Sequence, residues 1–255
     1  MIASSQYRAD GPEDAPVLML GPSLGTTHDV WEPQLEALTR THRVIRYDLP
    51  GHTPGAPVPP DPVSVADLAD DVLALADSLG VGRFAVGGVS LGGAIAATAA
   101  VRAADRVDRL VLCCTSARFG DPEPWRERAA LVRSKGMEPM VDTLIGRWFT
   151  GAYATGRPEP VRRVVDMLNG VDPAGYARCC EAIAGYDLRD RLAGVTARTL
   201  VIAGADDPST PVEHARVLAE GIPGARLAVI PEAAHLANVQ RPEAVTAEIV
   251  AHLTA

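Results

Sequence analysis

Short apolar segments alternate along this chain with longer segments whose apolar residues have helical spacing. The apolar segments have the length and the aliphatic composition of buried strands. They lie at residues 17–20, 44–48, 84–89, 110–114, 200–203 and 227–230. Helical spacing is found at residues 63–79, 91–102, 211–220 and 242–253. This alternation predicts an α/β fold, with a mostly parallel sheet and crossover helices on both faces.

The strand pattern is interrupted between residues 116 and 191. This segment has helical character, is rich in arginine and tryptophan, and is broken by glycine and proline. We interpret it as a helical cap inserted over the strand ends, which divides the core into residues 1–115 and 192–255. The proline-rich stretch at residues 53–60 is predicted to be a stiff loop and not a linker between domains.

A Gly-x-Ser-x-Gly string joins the apolar segment at 84–89 to an alanine-rich helical segment. In a nucleophile elbow the serine lies on a sharp strand-to-helix turn, and side chains two residues away on either side would collide. Gly88 and Gly92 are the residue type that this geometry requires. The alternative is an ordinary glycine-rich turn, but the flanking strand and helix patterns favour the elbow. We therefore predict that Ser90 is a nucleophile.

A serine nucleophile needs a histidine base and a carboxylate, which follow it in the order Ser, Asp, His in this class. Asp206 and Asp207 follow the segment at 200–203, and His235 follows the segment at 227–230. Adjacent residues point in different directions, so only one aspartate can face the imidazole. The Gly-x-x-Asp-Pro spacing favours Asp207, which leaves Asp206 as a solvated or loop-capping carboxylate. Of the other histidines, His52 is expected to stabilise a loop, and His28 is a candidate for the border of the pocket.

Composition narrows the class of protein further. A length of 255 residues with 47% hydrophobic residues suits one α/β domain. The net charge of −8 argues against nucleic acid and anionic membranes as partners. No apolar run is long enough to span a membrane and residues 1–5 lack signal-peptide features, so we expect a cytoplasmic protein. The cysteines form two adjacent pairs without zinc-site spacing, and we expect reduced packing residues and no metal.

The predicted cap has nearly balanced charge and is the least negative part of the chain. An anionic substrate would therefore be held by arginines of the cap. Each arginine could instead belong to a solvated helix face, and each aromatic residue could simply attach the cap to the body. The candidates for substrate binding are Trp125, Arg133, Arg147 and Trp148, with Arg126, Arg128 and Phe149 as further candidates.

Six motifs give the chain a family resemblance. They are Ser23-Leu24-Gly25-Thr26, Tyr47-Asp48-Leu49-Pro50-Gly51-His52, Gly88-Val89-Ser90-Leu91-Gly92-Gly93, Arg147-Trp148-Phe149-Thr150, the run at residues 203–211, and Ala234-His235-Leu236-Ala237-Asn238. The chain resembles the α/β-hydrolase superfamily over about residues 18–251. Within it, the chain is similar to the 3-oxoadipate enol-lactonases of the β-ketoadipate pathway, in which a serine followed by Leu-Gly stands where other α/β hydrolases have His-Gly.

The resemblance implies acyl transfer by a Ser-His-Asp triad on a small-molecule lactone or ester, itself a carboxylate. It also implies an oxyanion hole formed by the backbone N–H groups of Leu24 and Leu91, and no metal, nucleotide or redox cofactor. Two alternatives stay open. One is a carboxylesterase or cofactor-free perhydrolase of broader specificity, and the other is a binding protein that has lost catalysis. The sequence leaves the oligomeric state open, including a homo-oligomer.

Overall fold

The predicted mostly parallel sheet is confirmed in the structure, a computed structural model that describes residues 6–55, 58 and 63–255. The expectations for residues 1–5, and for residues 56, 57, 59 and 60 of the proposed stiff loop, concern residues outside these ranges. The described strands form one seven-stranded sheet in the order β1-β3-β2-β4-β5-β6-β7. They are β1 (Tyr7–Asp10), β2 (Val17–Gly21), β3 (Arg43–Tyr47), β4 (Phe84–Val89), β5 (Val107–Cys113), β6 (Arg198–Gly204) and β7 (Arg226–Ile230).

Strand β1 is antiparallel to β3 and has no counterpart in the sequence prediction. Its four residues are half-buried or exposed, so they carry no hydrophobic pattern that would mark a strand. The strand is specified by its pairing instead, with Tyr7 opposite Tyr47. Strands β5 and β6 also begin earlier than predicted, at Val107 and Arg198, because charged residues precede their apolar segments.

The described helices lie on both faces of the sheet and above its carboxyl edge. They are α1 (Glu32–Leu38), α2 (Val65–Ser78), α3 (Leu91–Arg102), α4 (Pro122–Lys135), α5 (Val141–Trp148), α6 (Gly151–Gly156), α7 (Pro158–Asn169), α8 (Pro173–Ala184), α9 (Val212–Gly221), α10 (Ala237–Gln240) and α11 (Pro242–Thr254). Helices α4 to α8 lie between β5 and β6, in the segment interpreted as a cap. Among the described residues, no helix has the length and apolar character needed to cross a bilayer.

Strand β4 and helix α3 form the centre of the core. All six residues of β4 are buried, as are residues 91–100 of α3. Most of the helix residues are alanine or glycine, and these small side chains let the helix backbone approach the sheet closely. This packing fixes the carboxyl end of β4, where the chain turns into α3.

The turn between β4 and α3 has the strained geometry of the predicted elbow. Ser90 has φ 56° and ψ −118°, a conformation that costs a non-glycine residue about 1–3 kcal/mol. Its N–H donates to the carbonyl of Cys113 (3.0 Å) and its carbonyl accepts from Thr115 Oγ1 (2.6 Å). A Cβ atom at Gly88 would lie 2.1 Å from the carbonyl carbon of Gly92. Gly88 is therefore needed for the turn to close, and Gly92 is needed because a Cβ atom there would lie 2.4 Å from the carbonyl carbon of Gly21 at the end of β2.

The segment interpreted as a cap is attached to the core near the carboxyl ends of the strands. The N–H of Asp172, which precedes α8, donates to the carbonyl of Gly51 (2.8 Å). The N–H of Leu236 donates to the carbonyl of Trp148 at the end of α5 (3.0 Å). These bonds hold α5 and α8 over the edge of the sheet at which β4 and β7 end.

We expect Gly88→Ala to destabilise the fold by several kcal/mol, because the added methyl group would overlap backbone atoms of Gly92 that cannot move aside. The matched control is Gly82→Ala, since a Cβ atom at Gly82 meets no atom within 4 Å. Urea unfolding of the two variants measures the difference. Equal stabilities for the two variants would show that the elbow does not depend on this close approach.

Candidate active site

The three predicted catalytic residues lie at the carboxyl ends of three parallel strands. Ser90 follows β4, Asp207 follows β6 and His235 follows β7. All three are buried. Because parallel strands end at the same edge of the sheet, residues separated by more than 100 positions in the sequence come together here.

Asp207 is the aspartate that contacts the imidazole. Its Oδ2 atom lies 2.8 Å from Nδ1 of His235, and both side chains are at most 5% exposed. Asp206 is exposed, and its N–H donates to the carbonyl of Ala233 (2.9 Å). The carboxylate of Asp207 therefore fixes the orientation of the ring, with Nδ1 donating and Nε2 directed away from the carboxylate.

Thr210 and Ser209 hold the Asp207 carboxylate in place. Oδ1 accepts from the N–H groups of Ser209 (2.8 Å) and Thr210 (3.0 Å), and Oδ2 accepts from Thr210 Oγ1 (2.7 Å). Burial alone would raise the pKa of Asp207, but the charge and hydrogen bond of His235, together with the Thr210 donors, keep this pKa below its usual value. Asp207 is therefore ionised beside the ring. The motif around Asp207 contains Thr210, but the sequence gives no sign that its side chain turns back to the carboxylate.

Ser90 and His235 line the same narrow cavity, of about 50 Å³. Within the described residues, the Ser90 hydroxyl makes no hydrogen bond to His235. Catalytic hydrogen bonds in unliganded sites are often long and shorten only with substrate bound, so this geometry is compatible with proton transfer. A separate and much larger groove, of about 750 Å³, has Asp206 and Glu232 among its lining residues, and it includes neither Ser90 nor His235.

The backbone of two loops supplies candidate oxyanion donors. Leu91 is the first residue of α3, and the first N–H groups of a helix have no partner within it. Leu24 lines the cavity after β2. The neighbouring N–H groups are engaged, since Gly92 donates to the carbonyl of Pro22 (3.0 Å) and Gly25 donates to His52 Nε2 (3.0 Å). In the part of the chain that the structure describes, the N–H groups of Leu24 and Leu91 have no such acceptor.

His52 supports the loop that carries Leu24, in agreement with the structural role expected for it. The ring is fully buried, its Nδ1 donates to the carbonyl of Pro50 (3.0 Å) and its Nε2 accepts from Gly25. This pattern requires a neutral ring. Burial lowers the pKa of His52 to about 4, against smaller opposing effects of the Pro50 carbonyl and Asp48.

His28 lies outside the lining of the catalytic cavity. Its backbone N–H and its Nδ1 both contact Asp48 Oδ1, at 2.5 and 2.9 Å. Asp48 Oδ2 accepts from Thr53 Oγ1 (2.5 Å), so one buried carboxylate ties the loop after β2 to the loop after β3. The candidate role of His28 at the pocket border is replaced by a role in joining these loops.

Three of the four predicted substrate-binding residues line the cavity, namely Trp125, Arg147 and Trp148. The fourth, Arg133, lies elsewhere and forms a two-bond ion pair with Glu181 of α8. Arg128, named in the sequence as a further candidate, lines the cavity in its place. The two arginines are five residues apart on α4, which turns their side chains about 140° from each other.

The structure adds one residue to the lining of the cavity and places one candidate outside it. Tyr176 of α8 lines the cavity, although no motif in the sequence pointed to it. Phe149 is buried and stacks on Tyr153 instead, with ring centroids 5.3 Å apart. Among the described residues, no group of three or more histidine, cysteine or acidic side chains is arranged to hold a metal ion.

Comparisons with known proteins identify the family and the relatives of this chain. A family model described as alpha/beta hydrolase fold matches residues 16–242. The chain is 36% identical to 3-oxoadipate enol-lactonase 2 of Acinetobacter baylyi, over 93% of this chain and 88% of that protein. The crystal structure of the enol-lactonase from Burkholderia xenovorans LB400 superimposes with a TM-score of 0.95 at 39% identity, covering 98% of this chain and 96% of that chain.

A malate-bound structure of a thermophilic esterase from Thermogutta terrifontis is also similar, with a TM-score of 0.91 at 30% identity and coverage of 97% of this chain and 92% of that chain. These relatives are named as an esterase and as lactonases, which are all hydrolases. The resemblance inferred from the six motifs is therefore confirmed.

We expect the free energy of unfolding to fall as the pH is lowered from about 6.5 to about 4. Over this range His52 becomes protonated in the unfolded chain but stays neutral in the folded protein, so lowering the pH stabilises the unfolded state. Above pH 6.5 the ring is neutral in both states, and His52 causes no loss of stability. His252, whose pKa burial also lowers to about 4, contributes in the same direction. The part due to His52 is about 1.4 kcal/mol per pH unit and roughly 3 kcal/mol in all.

Urea unfolding at a series of pH values measures this slope. His52→Gln keeps an acceptor for the Gly25 N–H but cannot titrate, so its slope should be smaller than that of the unmodified protein by one proton. Identical slopes for the two proteins would contradict a neutral His52.

Proposed function

This chain belongs to the α/β-hydrolase fold family, and we propose that it hydrolyses 3-oxoadipate enol-lactone to 3-oxoadipate in the breakdown of aromatic compounds. The carrying observation is the charge of the cavity that contains Ser90 and His235. Among the described residues, the cavity is lined by the side chains of two arginines, Arg128 and Arg147, and by no acidic side chain. Such a cavity favours a substrate that carries a carboxylate.

The identity of the relatives supports the same substrate class. The Acinetobacter and Burkholderia proteins are both named for enol-lactone hydrolysis and match nearly the full length of this chain.

In the proposed first step, His235 Nε2 accepts the proton of the Ser90 hydroxyl as Oγ attacks the lactone carbonyl carbon. Asp207 holds the imidazole in the required tautomer and stabilises its positive charge. The negative charge on the carbonyl oxygen is stabilised by the N–H groups of Leu24 and Leu91. Each such donor is worth about 3 kcal/mol in the transition state.

Collapse of the tetrahedral intermediate breaks the ring C–O bond and leaves an ester on Ser90. The departing enol oxygen takes the proton from His235, and the enol then converts to a ketone. This conversion removes the nucleophile that could close the ring again. A water molecule, deprotonated by His235, then attacks the ester carbonyl carbon, and the acid is released as Ser90 recovers its proton.

The second candidate is a carboxylesterase of broader specificity. It is favoured by the similarity to the Thermogutta esterase, because the same triad and oxyanion hole would serve an open-chain ester. The difference between the two lies in the residues of the cavity that meet the acyl group, and not in the triad. Comparing enol-lactone turnover with p-nitrophenyl acetate turnover separates the two candidates.

We expect purified protein to remove the ultraviolet absorbance of the enol-lactone, and Ser90→Ala to lower kcat by about 10⁴-fold or more because no acyl-enzyme can form. Ser134→Ala is a matched control, since Ser134 lies exposed on α4 and donates to the carbonyl of Leu131. Rapid ester turnover without lactone turnover would replace the lactonase by the esterase. Lactone loss that persists in Ser90→Ala would overturn the proposed mechanism.

We expect Thr210→Val to lower kcat by roughly tenfold with little change in KM, because Asp207 loses its hydroxyl donor while both backbone donors remain. Thr210→Ser restores the hydroxyl and should recover most of the activity. Steady-state kinetics on the enol-lactone test this positioning role. An unchanged kcat in Thr210→Val would mean that the backbone donors alone hold the carboxylate.

A further inference from the structure

We propose that Arg128 and the hydroxyl group of Tyr176 form a subsite in the catalytic cavity that binds the carboxylate of the substrate. The inference rests on the proposed function, because it assigns the anionic end of the proposed substrate to particular side chains. Both residues line the cavity together with Ser90 and His235. A small molecule whose carbonyl group meets Ser90 therefore lies beside both donors.

The Tyr176 hydroxyl is a buried donor without an acceptor. The residue is fully buried, and within the described part of the chain its O–H group has no acceptor, because the neighbouring Arg128 guanidinium can only donate to the phenol oxygen. A buried polar atom that stays unpaired is costly, so a structure retains one where something else satisfies it. Burial raises the pKa of Tyr176 well above its usual value, which keeps the hydroxyl protonated and able to donate.

The ring of Tyr176 is fixed by the loops of the active site. It stacks on His52, with centroids 6.4 Å apart and the two planes inclined by 21°. On another side it packs on Gly25, where an added Cβ atom would lie 3.3 Å from Cε2 of the tyrosine. The hydroxyl therefore has a set direction before any ligand binds. A fixed donor loses little conformational freedom on binding, which favours specific recognition.

Arg128 is held by an aromatic ring and not by an acid. Its guanidinium carbon lies 4.7 Å from the centroid of the Trp125 ring, and the side chain is half-buried. Within the described residues it has no ion pair, whereas Arg133 on the same helix is paired with Glu181. The positive charge of Arg128 also lowers the pKa of the Tyr176 hydroxyl, against the larger effect of burial, which raises it. The two groups are therefore neighbours.

Together the two residues offer what a carboxylate requires. The planar guanidinium can donate to both carboxylate oxygens, and the phenol can donate one further hydrogen bond. Arg147 also lines the cavity, but its side chain is exposed and so its charge is screened by water. We therefore assign direct contact with the carboxylate to Arg128 and Tyr176.

The test uses two esters with acyl groups of similar length, the mono-p-nitrophenyl ester of succinate and p-nitrophenyl pentanoate. Only the first carries a carboxylate. For Arg128→Met, we expect the ratio of kcat/KM for the charged ester to that for the neutral ester to fall by about 10–100-fold, mainly through KM. For Tyr176→Phe, we expect a fall of about 5–10-fold. The neutral ester should be affected little in both variants.

The matched controls are Arg126→Met and Tyr186→Phe. Arg126, a further candidate for binding in the sequence, does not line the catalytic cavity; it is exposed on α4 and pairs with Glu123. Tyr186 has a buried hydroxyl, as Tyr176 has, but it lies near Thr98 and lines a different cavity. Both controls should keep the preference of the unmodified protein. A preference that is absent in the unmodified protein, or that survives in both Arg128→Met and Tyr176→Phe, would overturn the subsite.

Calorimetric titration of adipate into Ser90→Ala protein gives a readout that needs no turnover. We expect binding that weakens at least tenfold when Arg128→Met is added, and no binding by the Ser90→Ala protein would contradict the subsite. Failure of the proposed function is distinguishable from failure of the subsite. If the protein prefers the charged ester but does not hydrolyse the enol-lactone, the subsite is supported and the proposed substrate is contradicted. If the protein hydrolyses the lactone and neither variant changes the preference for the charged ester, only the subsite is contradicted.

Discussion

The turn at Ser90 is the constraint on which the rest of the site depends. A serine at φ 56° is strained, and the strain persists because β4 and α3 are buried on both sides of it. Gly88 allows the two arms of the turn to approach, and Gly92 allows the turn to pack on Gly21 at the end of β2. The hydrogen bonds of Ser90 to Cys113 and Thr115 tie the turn to β5 and the residues that follow. The position of the Ser90 hydroxyl, the proposed nucleophile, is therefore fixed by the core.

The cap segment and the candidate oxyanion loop are joined through one buried histidine. His52 accepts the N–H of Gly25, next to Leu24, and its ring stacks on Tyr176 of α8. The carbonyl group of Gly51, next to His52, accepts a hydrogen bond from the N–H of Asp172, which precedes α8. The contacts of His52 therefore hold two sides of the cavity together. One side would stabilise an oxyanion, and the other would contact the substrate. Neutral His52 is essential to this arrangement because a second ring proton would remove the acceptor.

The charge of the protein and the charge of its cavity have opposite signs. The chain carries −8 overall, yet the cavity is lined by two arginines and no acid among the described residues. Asp207 is ionised nearby, but its oxygens are used by His235, Ser209 and Thr210, so its charge is balanced within its own network. An anionic substrate would therefore meet positive charge at the cavity in spite of the negative charge of the whole chain.

The sequence by itself determined the strand and helix alternation and the elbow, because hydrophobic period and glycine spacing are local properties. It also proposed Asp207 over Asp206, since a short loop motif carries that information. Strand β1 could not be predicted, because pairing with β3 and not its own pattern makes it a strand. Only the tertiary structure decided between Arg128 and Arg133, because the spacing along a helix does not say which face meets the cavity and which meets Glu181. The same holds for Tyr176, whose hydroxyl is significant only through the distant loops that bury it.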